Sequence, residues 1–258
     1  DNGRFLSNSR SSRNHSEFVN SLSSQPTKLS HEWKLKALTD VGLDLKQDKL
    51  TDSDFHELVS FLYQNRDLFA TSLKDIPAAD VCPHVIETTT EITIRQKQFR
   101  HPPHVNKELD RHVNELLEAG IISHSSSGYN APCFGIKKPS GDIRFIVDFR
   151  KLNSVTVPQF YPVPSLESIC DKISNVKPVL WSTLDCKSGY YSIPLDPKTA
   201  HKTAFSTSTS HMQFNRLPMG LSTSPASYCM ALSKLLLQGK LSYNILQYLD
   251  DTLIFSVH

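Results

Sequence analysis

Two adjacent aspartates sit where two apolar runs meet. Tyr248-Leu249-Asp250-Asp251 has Ile245, Leu246 and Leu249 before the acids and Leu253, Ile254, Phe255 and Val257 after them. Such flanks read as two short buried strands with a turn between them. Along one strand, neighbouring side chains point to opposite faces. A tight turn lifts that restriction and lets both carboxylates stand near one place. Like charges held together are unfavourable unless a cation neutralises them, and hard oxygen ligands suit Mg²⁺. Alone, Asp-Asp is also ordinary turn chemistry, so the pair gains meaning only from a third carboxylate. One stands at Asp185, closing the apolar run Val179 to Leu184 and preceding Cys186-Lys187-Ser188-Gly189-Tyr190-Tyr191.

The rest of the chain alternates helical stripes with hairpin signals. Residues 1–30 are rich in Ser, Asn and Arg and read as a disordered linker. Thr51 with Asp54 resembles a capping box. Phe55, Leu58, Val59 and Leu62 follow at helical spacing, which predicts a helix near 52–69 within an N-terminal extension of 31–100. Val85 to Ile94 reads as extended. Arg95, Lys97, Arg100, Lys107 and Arg111 form a basic run, either a solvated face or a phosphate contact. Leu109, Val113, Leu116 and Leu117 make the next helical stripe, with Gly120 as its stop. Cys133 to Lys137 and Arg144 to Asp148 read as a hairpin whose turn gathers Lys137, Lys138 and Arg144. Three cations on such a tip are either solvated or able to fold over a triphosphate. Residues 157–164, with three prolines, read as a connection. Thr203-Ala204-Phe205 and Phe214 suggest two more strands. Ser224-Pro225 then opens a helix, Ser as N-cap and Pro at the first helical position, with Gly239 closing it.

Composition narrows the class. At 258 residues with 38% hydrophobic and 21% charged content, the chain can bury a sizeable core. No apolar run has the length of a membrane span. Net charge is only +2, so a nucleic-acid surface has to come from local clustering. Five widely spaced cysteines argue against a disulfide framework and for a reducing, intracellular compartment. Cys82, His84, His101 and His104 match no zinc-ligand spacing. Phosphate-binding glycine loops and a Gly-x-Ser-x-Gly elbow are absent.

The motifs taken in order resemble the reverse transcriptase of a long-terminal-repeat retrotransposon of the Ty3/gypsy type, over roughly residues 55–258. The resemblance rests on Glu118 to Ile122, Ala131-Pro132 with Ile136-Lys137-Lys138, Arg144 to Asn153, Leu184-Asp185 through Tyr190, and Lys202 to Phe205. It continues through Leu217 to Leu221 with Ser224-Pro225-Ala226, and ends at Tyr248-Leu249-Asp250-Asp251. Met219 and Ser127-Gly128-Tyr129 depart from the pattern usual in this branch.

The resemblance implies an α+β right-hand polymerase, its antiparallel palm sheet backed by helices. The reverse transcriptase domain would span 101–258, with fingers about 101–157 and 193–223 and a partial palm about 158–192 and 224–258. The thumb would lie beyond His258, which makes a truncated, catalytically incompetent remnant the alternative. The family implies two Mg²⁺ ions, with Mn²⁺ as substitute, held by Asp185, Asp250 and Asp251, with help from the carbonyl of Cys186. It implies that Lys138 and Arg144 grip a deoxynucleoside triphosphate, that Gly189 and Met219 approach its sugar, and that Tyr190 excludes a ribose 2′-hydroxyl. Asp148 and Arg150 match template-side residues. The implied partners are a primed RNA or DNA template and the protease, ribonuclease H and integrase domains of a Pol polyprotein. No membrane partner is implied, and the compartment would be cytoplasmic or nuclear.

Overall fold

The computed structural model describes residues 31–43, 45, 50–139, 141–162, 165–238, 245–249 and 251–256. The expected linker of 1–30, Gly239 and Asp250 lie outside the described residues. The chain divides into two units between Phe69 and Ala70.

The first unit is a helical pair, α1 (His31–Asp40) and α2 (Asp52–Gln64). Leu38, Phe55 and Val59 are buried between them, with Leu35 and Leu62 packed alongside. Thr51 caps α2, its hydroxyl oxygen accepting from the Asp54 N–H at 3.2 Å. The Asp54 carboxylate accepts from that same hydroxyl at 2.7 Å. A short 3₁₀ turn, Arg66–Leu68, follows α2.

The second unit is mixed α+β. Helix α3 (Pro103–Glu118) buries Leu109, Val113 and Leu116, one stripe at helical spacing. Its end is a Schellman motif: Gly120 N–H donates to Leu117 O, Ile121 N–H to Leu116 O, each at 3.0 Å, and Gly120 has φ +67°. Strands β1 (Ile122–His124), β2 (Ala131–Lys137) and β3 (Ile143–Val147) follow. Then come the short helices α4 (Arg150–Asn153) and α5 (Leu166–Val176), and strand β4 (Leu180–Asp185). Strands β5 (Phe205–Ser206) and β6 (His211–Phe214), helix α6 (Ser224–Gln238), and strands β7 (Ile245–Tyr248) and β8 (Asp251–Ser256) complete the order. One sheet has the order β1-β6-β5-β2-β3, and a second has β4-β8-β7. Among the described residues the pairings between these strands are antiparallel except that of β2 with β5. The main core gathers Ile86, Ile121, Ile122, Phe149, Phe205, Phe214 and Leu217 around the first sheet and α3.

Two local expectations change. Thr203 belongs to a 3₁₀ turn, Ala200–Thr203, and its hydroxyl donates to Ala200 O at 2.7 Å, so the strand begins only at Phe205. Ser224 lies inside the first turn of α6 and does not cap it. Its hydroxyl donates to Pro218 O at 2.7 Å, tying the helix start to the preceding turn. No helix among the described residues is long and apolar enough to cross a membrane.

Candidate active site

The second sheet carries the acids. β4 runs antiparallel to the central strand β8, in a register that puts Asp185 opposite Asp251 and Leu184 opposite Thr252. β7 pairs on the other side of β8, with Tyr248 opposite Asp251. Asp185 and Asp251 are both exposed. Directly opposed residues of an antiparallel pair share one face, with Cβ atoms about 5 Å apart, and like charges there are destabilising. Two carboxylates so placed form a hard oxygen donor set, which fits a divalent cation of the Mg²⁺ type. Among the described residues no group of three or more His, Cys, Asp or Glu side chains gathers as a metal cluster. Cys82, His84, His101 and His104 do not gather into such a group.

The turn after β4 is compact. Gly189 N–H donates to Cys186 O at 2.9 Å, Tyr191 N–H to Ser188 O at 2.9 Å and Ile193 N–H to Tyr190 O at 3.1 Å. Ser188 takes φ +51°, a left-handed conformation uncommon outside glycine. A carbonyl has two lone pairs, so Cys186 O keeps one acceptor direction beyond its bond to Gly189. The Tyr190 ring stacks on Tyr228 of α6, centroids 4.9 Å apart and planes 27° apart. Its neighbour Tyr191 stacks on Phe214, and burial pushes the Tyr191 phenol up to about 12.

The β2–β3 hairpin carries the cationic tip. Ile136 is opposite Arg144 and Lys137 opposite Ile143. Lys138 N–H donates to Asp142 O at 2.7 Å and Gly141, at φ +95°, donates back to Lys138 O at 2.9 Å. Lys137, Lys138 and Arg144 are exposed. Asp148 and Arg150 engage each other: the guanidinium donates from Nε at 2.9 Å and from Nη2 at 2.7 Å, and the Arg150 N–H adds a third bond at 3.1 Å. Those bonds hold the Asp148 carboxyl below its usual range against the opposing effect of burial. Met219 is exposed beside Gly220, whose φ is +97°.

Several supporting residues emerge only from the structure. Asn153 holds the Met219 turn, donating to Gly220 O and accepting from Ser222 N–H, each at 2.9 Å. Gln247 donates to Leu249 O at 3.1 Å and accepts from Ser233 at 2.9 Å, which braces the acid-bearing hairpin. Gln247 does leave a signal, a lone amide in an apolar strand. Tyr228 and Ser233 leave none, because their contacts come from a helix distant in sequence.

Residues 136–258 match the family model described as reverse transcriptase (RNA-dependent DNA polymerase). Residues 136–258 belong to the reverse transcriptase family. The Pol polyprotein of the Drosophila melanogaster transposon 297 is 32% identical over 222 residues, which is 83% of this chain and 21% of that protein. That of transposon opus, from the same fly, is 36% identical over 178 residues, 66% of this chain and 17% of the relative. A Schizosaccharomyces pombe Tf2-3 polyprotein is 30% identical over 173 residues, covering 64% and 13% of the two chains. The chain thus spans about a fifth or less of the length of these curated relatives. Among solved structures, a prototype foamy virus protease–reverse transcriptase superposes with TM-score 0.73 at 24% identity, over 89% of this chain and 30% of that one. A foamy viral protease–reverse transcriptase in complex with an RNA/DNA hybrid gives TM-score 0.71 at 20% identity, over 90% of this chain and 30% of that one. At such identity the likeness concerns the fold.

Proposed function

We propose that this chain is the nucleotide-transfer region of a retrotransposon Pol polyprotein, catalysing RNA-directed DNA synthesis from a primer 3′-hydroxyl. The observation that carries the reading is the register placing Asp185 directly opposite Asp251 at one end of the β4-β8-β7 sheet. Residues 101–258 would form the polymerase domain, with fingers about 101–157 and 193–223 and palm about 158–192 and 224–258.

Asp185 and Asp251, with Asp250 between Leu249 and Asp251 in the chain, would hold two Mg²⁺ ions, for which Mn²⁺ can substitute. When bound, such ions lower the pKa of the attacking hydroxyl and neutralise charge on the leaving pyrophosphate. The chain's own residues do the rest. The carbonyl of Cys186 has a lone pair to offer beside the acids. Lys138 and Arg144, free of carboxylate partners among the described residues, supply fixed positive charge for a triphosphate. Gly189 lets backbone approach the incoming sugar, and Tyr190, backed by Tyr228, presents a flat wall where a ribose 2′-hydroxyl would sit. Met219, on a turn clamped by Asn153, borders the same nucleotide. Asp148 and Arg150 act on the template side as one paired unit, the guanidinium held by the carboxylate until a phosphate competes for it. Substrates are deoxynucleoside triphosphates and a primed RNA or DNA template, and the polyprotein's other domains are the covalent partners.

The test is primer extension by the polyprotein's reverse transcriptase carrying this segment, with Asp185→Asn beside wild type. Loss of the carboxylate should lower the rate about 100-fold or more while the circular dichroism spectrum is unchanged. Extension at wild-type rate by the variant, or none by the wild type, would overturn the reading.

A further inference from the structure

Lys187 follows Asp185 by two positions, yet it makes no ion pair with any carboxylate among the described residues. Its ammonium instead donates to two backbone carbonyls, Ala70 at 3.0 Å and Thr71 at 2.7 Å. A lysine side chain gives up much rotamer freedom to stay in one place, so two charge-assisted bonds to one short segment need that segment to be ordered in advance.

It is ordered, by Asp75. One carboxylate oxygen accepts four hydrogen bonds: from Thr71 N–H at 3.0 Å, the Thr71 hydroxyl at 2.9 Å, Ser72 N–H at 2.7 Å and the Ser72 hydroxyl at 3.0 Å. A single 3₁₀ turn, Leu73–Asp75, results. Leu73 packs on the main core, and Lys74 pairs with Glu118 at 2.9 Å. The strap then continues beside the turn that follows Asp185. Ala79 N–H donates to Ser192 O, His84 N–H to Pro194 O and Asp196 N–H to His84 O, each at 2.8 Å. Contacts thus advance along both segments together, and the Lys187 bonds are the first of the series.

The turn needs an external hold. Among the described residues the one backbone bond within 186–190 is Gly189 N–H to Cys186 O, and Ser188 sits in the left-handed region without being glycine. We propose that Lys187 is a positioning residue, latching the 186–190 turn to the carbonyls of Ala70 and Thr71 so that Gly189 and Tyr190 are held at fixed distance from Asp185. For its nucleotide consequence this rests on the function proposed above. The latch makes the segment preceding the polymerase motifs part of the nucleotide site without touching the nucleotide. Pre-organisation of this kind acts on binding geometry, because an ordered turn meets the sugar without further loss of freedom.

Three variants separate the possibilities. Lys187→Met keeps the side-chain length and removes the donors; Lys187→Arg restores them; Asp75→Asn loosens the acceptors without altering the turn. Hydrogen exchange at the Gly189, Tyr191 and Ile193 amides of the full chain reads the latch directly. Lys187→Met and Asp75→Asn should speed exchange there about tenfold, with Lys187→Arg close to wild type. In primer extension, Lys187→Met should raise the KM for deoxynucleotides about three- to tenfold, change kcat less, and narrow the preference for deoxyribose over ribose. Unchanged exchange in Lys187→Met would overturn the latch. Faster exchange with an unchanged KM and unchanged sugar preference would overturn its role in the site. If the wild type neither binds nor incorporates nucleotides, the proposed function falls, and amide exchange by itself decides whether Lys187 holds the turn.

Discussion

Gly189 has no room for a methyl group. A Cβ built on it would meet the Tyr228 hydroxyl at 2.5 Å, Cys186 Cβ at 3.0 Å and Tyr228 Cε2 at 3.0 Å. Tyr228 is buried and stacked on Tyr190, so it cannot swing aside without moving that ring. Packing, rather than a special backbone angle, requires glycine here. Gly189→Ala should therefore destabilise the chain by about 1–3 kcal/mol, read from urea denaturation. In a Tyr228→Phe background the same change should cost less, because the closest atom is gone. Equal costs in the two backgrounds would remove Tyr228 from the explanation. At this scale the sequence is informative about residues and silent about partners. The resemblance singles out Gly189 and Tyr190 by their register with Asp185. The stacking of Tyr190 on Tyr228 comes from a helix that no local pattern connects to them. The resemblance singles out Asp148 and Arg150, whereas their bond to each other needs the structure, since i to i+2 pairing depends on the backbone turn at Phe149 (φ −88°, ψ 8°).

The β7–β8 hairpin shows the same division for elements. Apolar flanks around Tyr248 to Asp251 make two strands and a turn legible. The cost inside that turn is not: Leu249 has φ +55°, a left-handed conformation that costs a non-glycine residue about 1–2 kcal/mol. Gln247 and Ser233 offset it through the Leu249 carbonyl, and the Cys229 thiol lies 3.8 Å from the same oxygen. Gln247→Ala should lower stability by about 1–2 kcal/mol. Ser233→Ala should lower it by less, and the double variant by less than the sum, since both act through one amide. Strict additivity in thermal or urea unfolding would show that the two do not form one brace. Elements with a strong period and a chemical stop are readable, as α3 and Gly120 show. Helix α5 is not: Ile169 and Ile173 are its inner apolar positions, and all its residues stay at least partly exposed. Ser224 looks like a cap because Ser-Pro opens many helices, but it already lies in the first turn of α6, where its hydroxyl donates to Pro218 O. Neither the order β1-β6-β5-β2-β3 nor the parallel pairing of strands β2 and β5 can be read from the sequence, because both depend on contacts between distant segments.

For the second unit as a whole, His84 joins the strap to helix α6. Its backbone bridges to Leu195, while its ring is buried between two hydroxyls, Ser227 Oγ at 2.7 Å from Nδ1 and Thr223 Oγ1 at 3.1 Å from Nε2. Ser227 donates its one hydroxyl proton to Gln159 Oε1 at 3.0 Å. It must therefore accept from Nδ1–H, which leaves Nε2 to accept from Thr223. That network is complete only for a neutral ring. Burial pushes the imidazole down to about 4 from 6.5. The adjoining cavity is lined by Glu87, Lys234 and Cys82 among others, and no carboxylate bonds the ring. As pH falls below 6.5, the unfolded chain takes up a proton at this position that the folded chain refuses. The His84 contribution is thus fully present above about pH 6.5, declines between 6.5 and 4, and falls no further below that. The difference in proton affinity between the folded and unfolded chain makes that contribution about 3 kcal/mol. His84→Gln should be less stable at pH 7, yet lose less on acidification across that window than the parent does. The measurement is the urea midpoint at half-unit steps from pH 7.5 to 4. Parallel acid slopes in the two proteins would mean that His84 is not the group that titrates, and would assign the acid lability of this unit to its carboxylates.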